Sequence, residues 1–247
     1  MKRLIEVLGI IFLLTAFHTP LLAEISPQEI LAHADRARGN VAGIEWIIEM
    51  ESIEADRRQE RTLMVKARGE NSLAEFITPP KVKGQKLLMI DRNMWFVKPG
   101  LSKPVPISPR QKLMGGAANG DIASTNYAGD YESTSITGDM VNGEPCYVLD
   151  LKAINKKATY DRIKYWVSKK RLVGVQADFF TVSGKKFKSA TFEYHNNICI
   201  HDYTRPFVSK MIIKDAVIKN NVTTMSYGKV TIKEIPDSTF NLNLLMR

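Results

Sequence analysis

Few residues in this 247-residue chain have the types and spacing that chemistry requires. Four histidines are present: His18 in the first, apolar residues, His33 on an expected helix, His195 near a strand end and His201 in an expected loop. The two cysteines, Cys146 and Cys199, lie in apolar, strand-like stretches. In an oxidising compartment they could form a disulfide, and two separately buried thiols fit the pattern equally well. Asp139, Asp150, Asp161 and Asp178 fall at strand ends or on mixed faces, where hydrophilic strand residues belong. No nucleophile elbow, zinc-binding helix motif, phosphate loop or dinucleotide fingerprint occurs. The chain therefore reads as a non-enzyme with no cofactor and no resident metal.

The elements around these residues are mostly strands. Ser26-Pro27-Gln28-Glu29 has the form of a capping box with proline at the first helical position, and Ile30, Leu31, Ala34 and Ala37 give the following helix one apolar face. From about Val41 the apolar period changes to two. Ile44, Trp46, Ile48 and Met50 share one face of a first strand, and strands follow over 61–67, 71–78, 86–90 and 94–97. Residues 98–130 break the pattern with four prolines and five glycines, leaving room for short helices at 111–114 and 121–127. Strands resume at 132–137, 147–153, 161–167, 172–180, 186–194, 207–215 and 222–232, before a short helical tail at 239–246. Roughly eleven strands, mainly in hairpin order, predict a mainly β fold built on one strongly curved antiparallel sheet.

The first residues resemble an export signal. Met1-Lys2-Arg3 is a short basic start, Val7 to Phe17 is an uncharged, largely apolar run, and Leu21-Leu22-Ala23 offers a cleavage site. The run is well short of the roughly 20 residues that a membrane-spanning helix requires. Glu24 occupies the place where a lipid-anchored protein would carry a cysteine. Residues 1–23 are thus expected to be a removed signal peptide, and 24–247 one soluble domain of the periplasm. The net charge of +9 falls to +8 when Lys2, Arg3 and Glu6 leave with the signal. A basic surface of this kind favours anionic lipid headgroups or acidic partners, and transient membrane contact is expected rather than nucleic-acid binding.

Several tracts together resemble the outer-membrane lipoprotein-sorting family, the LolA-like periplasmic carriers, over most of the chain after the signal. They are Phe76-Ile77-Thr78-Pro79-Pro80 with Gly84 and Leu87-Leu88-Met89, then Met94-Trp95-Phe96-Val97-Lys98-Pro99. The tract 115–130 resembles the family's helical insertion. Tyr165-Trp166-Val167, Lys170-Arg171-Leu172, Phe179-Phe180 and Ser183-Gly184-Lys185 resemble its central meander. The resemblance implies an incomplete β-barrel, a half-barrel whose helices cover an apolar concave face, and acyl chains of a lipoprotein or lipid as its ligand. It implies transfer between the membranes, from an inner-membrane transporter to an outer-membrane acceptor.

A cavity for acyl chains needs large, adaptable apolar side chains, and Trp46, Ile48, Met50, Met89, Trp95, Phe96, Phe179 and Phe192 are the candidates for its lining. Leu113, Met114, Ile122 and Tyr127 are candidates for a lid, with Gly115, Gly116 and Gly120 as hinge candidates. Lys185, Lys186 and Lys188 cluster basic charge at one turn. The alternative reading is an envelope stress sensor, or an accessory subunit of a membrane transporter, that uses the same fold to bind a protein.

Overall fold

A computed structural model describes residues 25–200 and 202–246; the expected signal peptide and His201 lie outside the described residues. Helix α1 (Pro27–Arg36) opens with the expected capping box, in which the Ser26 hydroxyl accepts from the Glu29 amide and the Glu29 carboxylate accepts from the Ser26 amide. Seventeen strands follow in chain order. The first six are β1 (Ile44–Glu54), β2 (Arg57–Arg68), β3 (Asn71–Thr78), β4 (Lys86–Ile90), β5 (Asn93–Val97) and β6 (Val105–Ile107). The insertion holds β7 (Lys112–Met114), β8 (Ala117–Ala118), a 3-10 turn over Asn119–Asp121 and helix α2 (Tyr127–Asp130). Next come β9 (Tyr131–Val141), β10 (Glu144–Ala153), β11 (Arg162–Ser168), β12 (Gly174–Phe180) and β13 (Lys186–Glu193). The last are β14 (Asn196–Ile200), β15 (Tyr203–Phe207), β16 (Lys210–Asp215) and β17 (Val222–Ile232), and helix α3 (Leu242–Leu245) ends the described chain.

Thirteen strands form one antiparallel sheet in the order β6-β5-β4-β3-β2-β1-β17-β16-β13-β12-β11-β10-β9. Its edge strands, β6 and β9, are not paired with each other, so the barrel is incomplete. The sheet curls far enough for its two limbs to share one interior. Met89 and Met94 from one limb and Leu149 and Leu151 from the other belong to a single apolar cluster. That cluster is closed by α1, through Ile30, Leu31 and Ala34, and by the insertion.

More strands form than the apolar period predicts, and the differences have local causes. Residues 111–114, expected to be helical, instead supply β7, because Lys112 and Met114 pair with Ala118 and Ala117 across a tight turn at Gly115-Gly116. Residues 121–127 hold only the end of a 3-10 turn and the start of α2. β14 and β15 form a separate hairpin, in which only Ile198 and Phe207 are buried in the main cluster, too few alternating apolar positions to announce a strand pair.

Candidate functional site

Strand alternation decides which of the expected lining residues share a face. Trp46, Ile48 and Met50 on β1, Met89 on β4, Phe179 on β12 and Phe192 on β13 all lie in the concave cluster, and Phe96 on β5 packs against it. Trp95 does not join them. It pairs with Leu88, which packs with Ile235 and Phe240 of the C-terminal segment on the convex side, whereas the flanking Met94 and Phe96 point the other way. The lid candidates Met114, Ile122 and Tyr127 are also part of the concave cluster, with Leu113 packed against it. Tyr127 lies edge-on to both Tyr131 and Tyr165, with ring centroids 5.2 and 5.3 Å apart.

Apart from Trp95, the expected lining residues form part of a filled core. Among the described residues, the large open cavity lies at the rim where β1, β12, β13, β16 and β17 meet the insertion, and none of the twelve candidates lines it. Its volume is about 830 Å³. Ala117, Ala118, Tyr160, Phe180, Val182 and Phe187 supply its apolar walls, and Glu54, Arg110, Lys112, Asp161, Lys188 and Asp215 its charged positions. The concave centre is filled because the insertion drives its own apolar residues into it, and this cavity lies at the insertion's margin.

The charged groups around this cavity are held in place. Lys188 sits on the inward parity of β13 with Ala190 and Phe192, so its ammonium enters the interior rather than the solvent expected for a turn lysine. It donates to the Gly116 carbonyl at 2.6 Å and to Asp121 Oδ2 at 3.2 Å, and lies 4.5 Å from the centre of the Tyr160 ring. Burial lowers the Lys188 pKa, and the Asp121 carboxylate opposes that shift. The Tyr160 hydroxyl donates to both Asp121 oxygens at 2.7 and 2.6 Å, and burial followed by the Asp121 charge raises its pKa well above the usual value. Tyr160 is therefore a fixed donor. At the mouth, Arg110 donates to Asp161 at 2.5 Å and to the Ala158 carbonyl at 2.9 Å, and Lys112 donates to Glu54 at 2.7 and 3.0 Å.

A bulge shapes one wall. Phe179 pairs with Lys188 but Phe180 pairs with Lys186, so Phe187 is the extra residue of β13 and turns toward the cavity beside Lys188. The other aspartates considered for chemistry are taken up structurally. Asp178 pairs with Lys186, Asp150 accepts from the Ser135 hydroxyl, and Asp139 accepts from Trp166 Nε1. No group of His, Cys, Asp and Glu among the described residues could hold a metal ion.

The cysteines are not joined. Cys146 is buried on the convex face with Val148, Trp166 and Val175, and Cys199 is exposed on the β14–β15 hairpin, outside the main sheet. The glycines considered as hinges have another reason to be glycine. A Cβ at Gly115 would stand 2.0 Å from Ser52 Oγ and 2.1 Å from Thr223 Oγ1, and one at Gly120 would stand 2.1 Å from Thr159 Oγ1.

The fold and cavity place the chain among known proteins. A LolA superfamily protein from Nitrosomonas europaea has a similar structure, with a TM-score of 0.79 and 29% sequence identity over 89% of this chain and 99% of that one. A family model described as an uncharacterized protein matches residues 68–247. The chain belongs to the family of that model, and its fold is LolA-like. Two further matches extend the fold alone. A putative outer membrane lipoprotein-sorting protein domain from Vibrio parahaemolyticus has a TM-score of 0.75 at 20% identity, covering 89% of this chain and 98% of that one. A DUF1329 family protein from Desulfovibrio piger has a TM-score of 0.74 at 19% identity, covering 88% and 97%. No curated protein matches the sequence. In this LolA-like chain, Asp121, Tyr160, Lys188 and Arg110 are site residues that apolar periodicity does not single out. The parity of Lys188 with Ala190 and Phe192 is the one signal of them visible in the sequence.

Proposed function

We propose that this LolA-like protein is a carrier of the periplasm that receives the acyl chains of a lipoprotein or lipid in the rim cavity and moves them between the inner and outer membranes. The observation that carries the reading is the cavity itself, about 830 Å³ with Phe180, Phe187, Val182, Ala117 and Ala118 in its walls. Ligand-binding cavities commonly span about 300–1,000 Å³. Burying about ten methylenes contributes roughly 8 kcal/mol, and a net of that size corresponds to micromolar affinity. The polar mouth suits a headgroup or a lipidated protein that stays in water.

The concave core belongs to the same reading. Lifting the insertion withdraws Leu113, Met114, Ile122 and Tyr127 and extends the cavity over Trp46, Ile48, Met50, Met89, Phe96, Phe179 and Phe192. The carrier needs no reactive group and no cofactor. Residues 1–23 direct its export, an inner-membrane transporter loads it, and an outer-membrane acceptor unloads it. Mass spectrometry of organic extracts from gently purified protein tests the reading, with a bound diacyl or triacyl species as the expected result. Persistent absence of lipid together with no uptake of a fluorescent fatty acid overturns it.

A further inference from the structure

The register of the sheet brings four chain connections to one rim. Ile53 pairs with Val222, Lys214 with Val222, Lys188 with Asp215, Phe180 with Lys186, Arg162 with Phe180, and Lys152 with Arg162. The β1–β2, β10–β11, β12–β13 and β16–β17 connections therefore all project at the end where the cavity opens. Hydrogen bonds tie neighbours together across this rim. The Ala55 amide donates to Asn221 Oδ1 at 3.3 Å, and the Ala216 amide donates to the Phe187 carbonyl at 3.0 Å.

Three of these connections, and the end of β1 beside the fourth, present aliphatic side chains to water. Val182 is 80% exposed and Val217 68%, and Ile53, Ile154 and Ile218 are exposed as well. These five lie on one rim, whereas an isolated exposed aliphatic residue requires no explanation. The loops that carry them are strongly basic. Arg57, Lys156, Lys157, Arg162, Lys185 and Lys219 are exposed and take part in none of the ion pairs of the described residues. The rim's acids are mostly committed: Glu54 to Lys112, Asp161 to Arg110, Asp178 to Lys186, and Asp215 to the amides of Val217 and Ile218. Asp56 is the exception.

We propose that this rim is a docking surface for an anionic lipid bilayer, with Val182, Val217, Ile218 and Ile154 entering the interfacial region and the basic side chains meeting headgroup phosphates. Aliphatic tips ringed by unpaired cations match a surface that is apolar beneath and negative above. An acidic protein groove satisfies the charge, but it does not call for aliphatic residues spread over separate loops around an open mouth. Docked in this way, the cavity opens directly onto the acyl region, so that a chain passes from bilayer to protein without crossing water. That passage rests on the carrier reading; the docking does not.

Co-sedimentation of the purified protein with phosphatidylcholine vesicles, with and without phosphatidylglycerol, tests the surface. Fluorescent fatty acid uptake from solution, without vesicles, is measured in parallel to report on the cavity alone. We expect binding to the anionic vesicles that weakens with salt and falls about tenfold or more in V217D/I218D, two exposed rim residues outside the cavity lining. It falls about fivefold for each basic residue neutralised in K156Q/K185Q. Fatty acid uptake by both variants stays unchanged. Failure of the wild type to bind anionic vesicles, or equal binding by V217D/I218D, overturns the proposal even where uptake succeeds. Binding to native membranes that is lost on proteolytic shaving, with none to pure lipid, overturns it in favour of a protein receptor. Vesicle binding without fatty acid uptake supports the docking surface and counts against the carrier.

Discussion

Lys188 Nζ lies 3.2 Å from Asp121 Oδ2, with both side chains almost completely buried, and this pair ties β13 to the insertion beside the cavity. Removing one partner leaves the other charge buried and uncompensated, which costs about 3–5 kcal/mol. Lys188→Met and Asp121→Asn should each lower stability to urea by an amount in that range. The double variant should recover part of the loss, because Tyr160 can still donate to an amide oxygen. Equal, additive losses in a double-mutant cycle would show that the pair does not act as a unit.

Asp35 on α1 makes stability depend on pH in a defined window. Its Oδ2 accepts the Ala128 amide at 2.9 Å, while its buried Oδ1 has no hydrogen-bond partner. Burial raises its pKa to about 6, against the opposing effect of the amides it accepts from and of Arg38. The folded-state value lies above the unfolded one, so the stability gained by protonation is fully present below about pH 4. It is lost as pH rises through about 6, a swing of roughly 3 kcal/mol. The wild type should therefore lose that amount relative to Asp35→Asn between pH 4 and 7 in paired urea titrations. Parallel curves would refute the assignment.

Gly115 combines a positive φ of 56° with the close approach of Ser52 and Thr223, whereas Gly143 has a φ of 80° and open space around it. Gly115→Ala should lower the thermal midpoint clearly more than Gly143→Ala, since only the first adds a clash to the backbone strain. Stability differences of about 1 kcal/mol for Gly143→Ala and about 2 kcal/mol or more for Gly115→Ala are expected.

The thiols should react in two stages. Native protein under anaerobic conditions should titrate one equivalent of an aromatic disulfide reagent, at the exposed Cys199. Cys146, whose pKa is raised by burial and by Glu144, should react only after unfolding. Two fast-reacting thiols in the folded protein would contradict the packing of Val148, Trp166 and Val175 around Cys146.

Phe187 is half-buried in the cavity wall, so Phe187→Asp can be introduced without opening the concave core. It should weaken fluorescent fatty acid binding by at least about tenfold, because a carboxylate facing an acyl chain loses its hydration. Circular dichroism should be unchanged. Unaltered affinity would move the acyl site away from this cavity.

Much of the fold is legible in local patterns. The capping box of α1 and strands β3, β4 and β17 begin and end where the residue pattern places them, since caps, prolines and two-residue alternation act within a few residues of chain. Alternation also identifies the seven apolar residues that face the concave side. It places Trp95 on the convex side as well, once the strand is counted from Met94 and Phe96. Residues 111–114 are different: their strand exists only through the partner at Ala117–Ala118.

By itself, the sequence determined a mainly β chain with one long glycine- and proline-rich insertion, the face of each long strand and a basic charge balance, because periodicity and composition are local quantities. Only the tertiary structure decided that the insertion fills the concave centre, that Lys188 meets Asp121, and that four distant loops share one rim. Those outcomes depend on how far the sheet curls and on a bulge at Phe187. Both arise from pairing between segments far apart in the chain, and no window of neighbouring residues contains them.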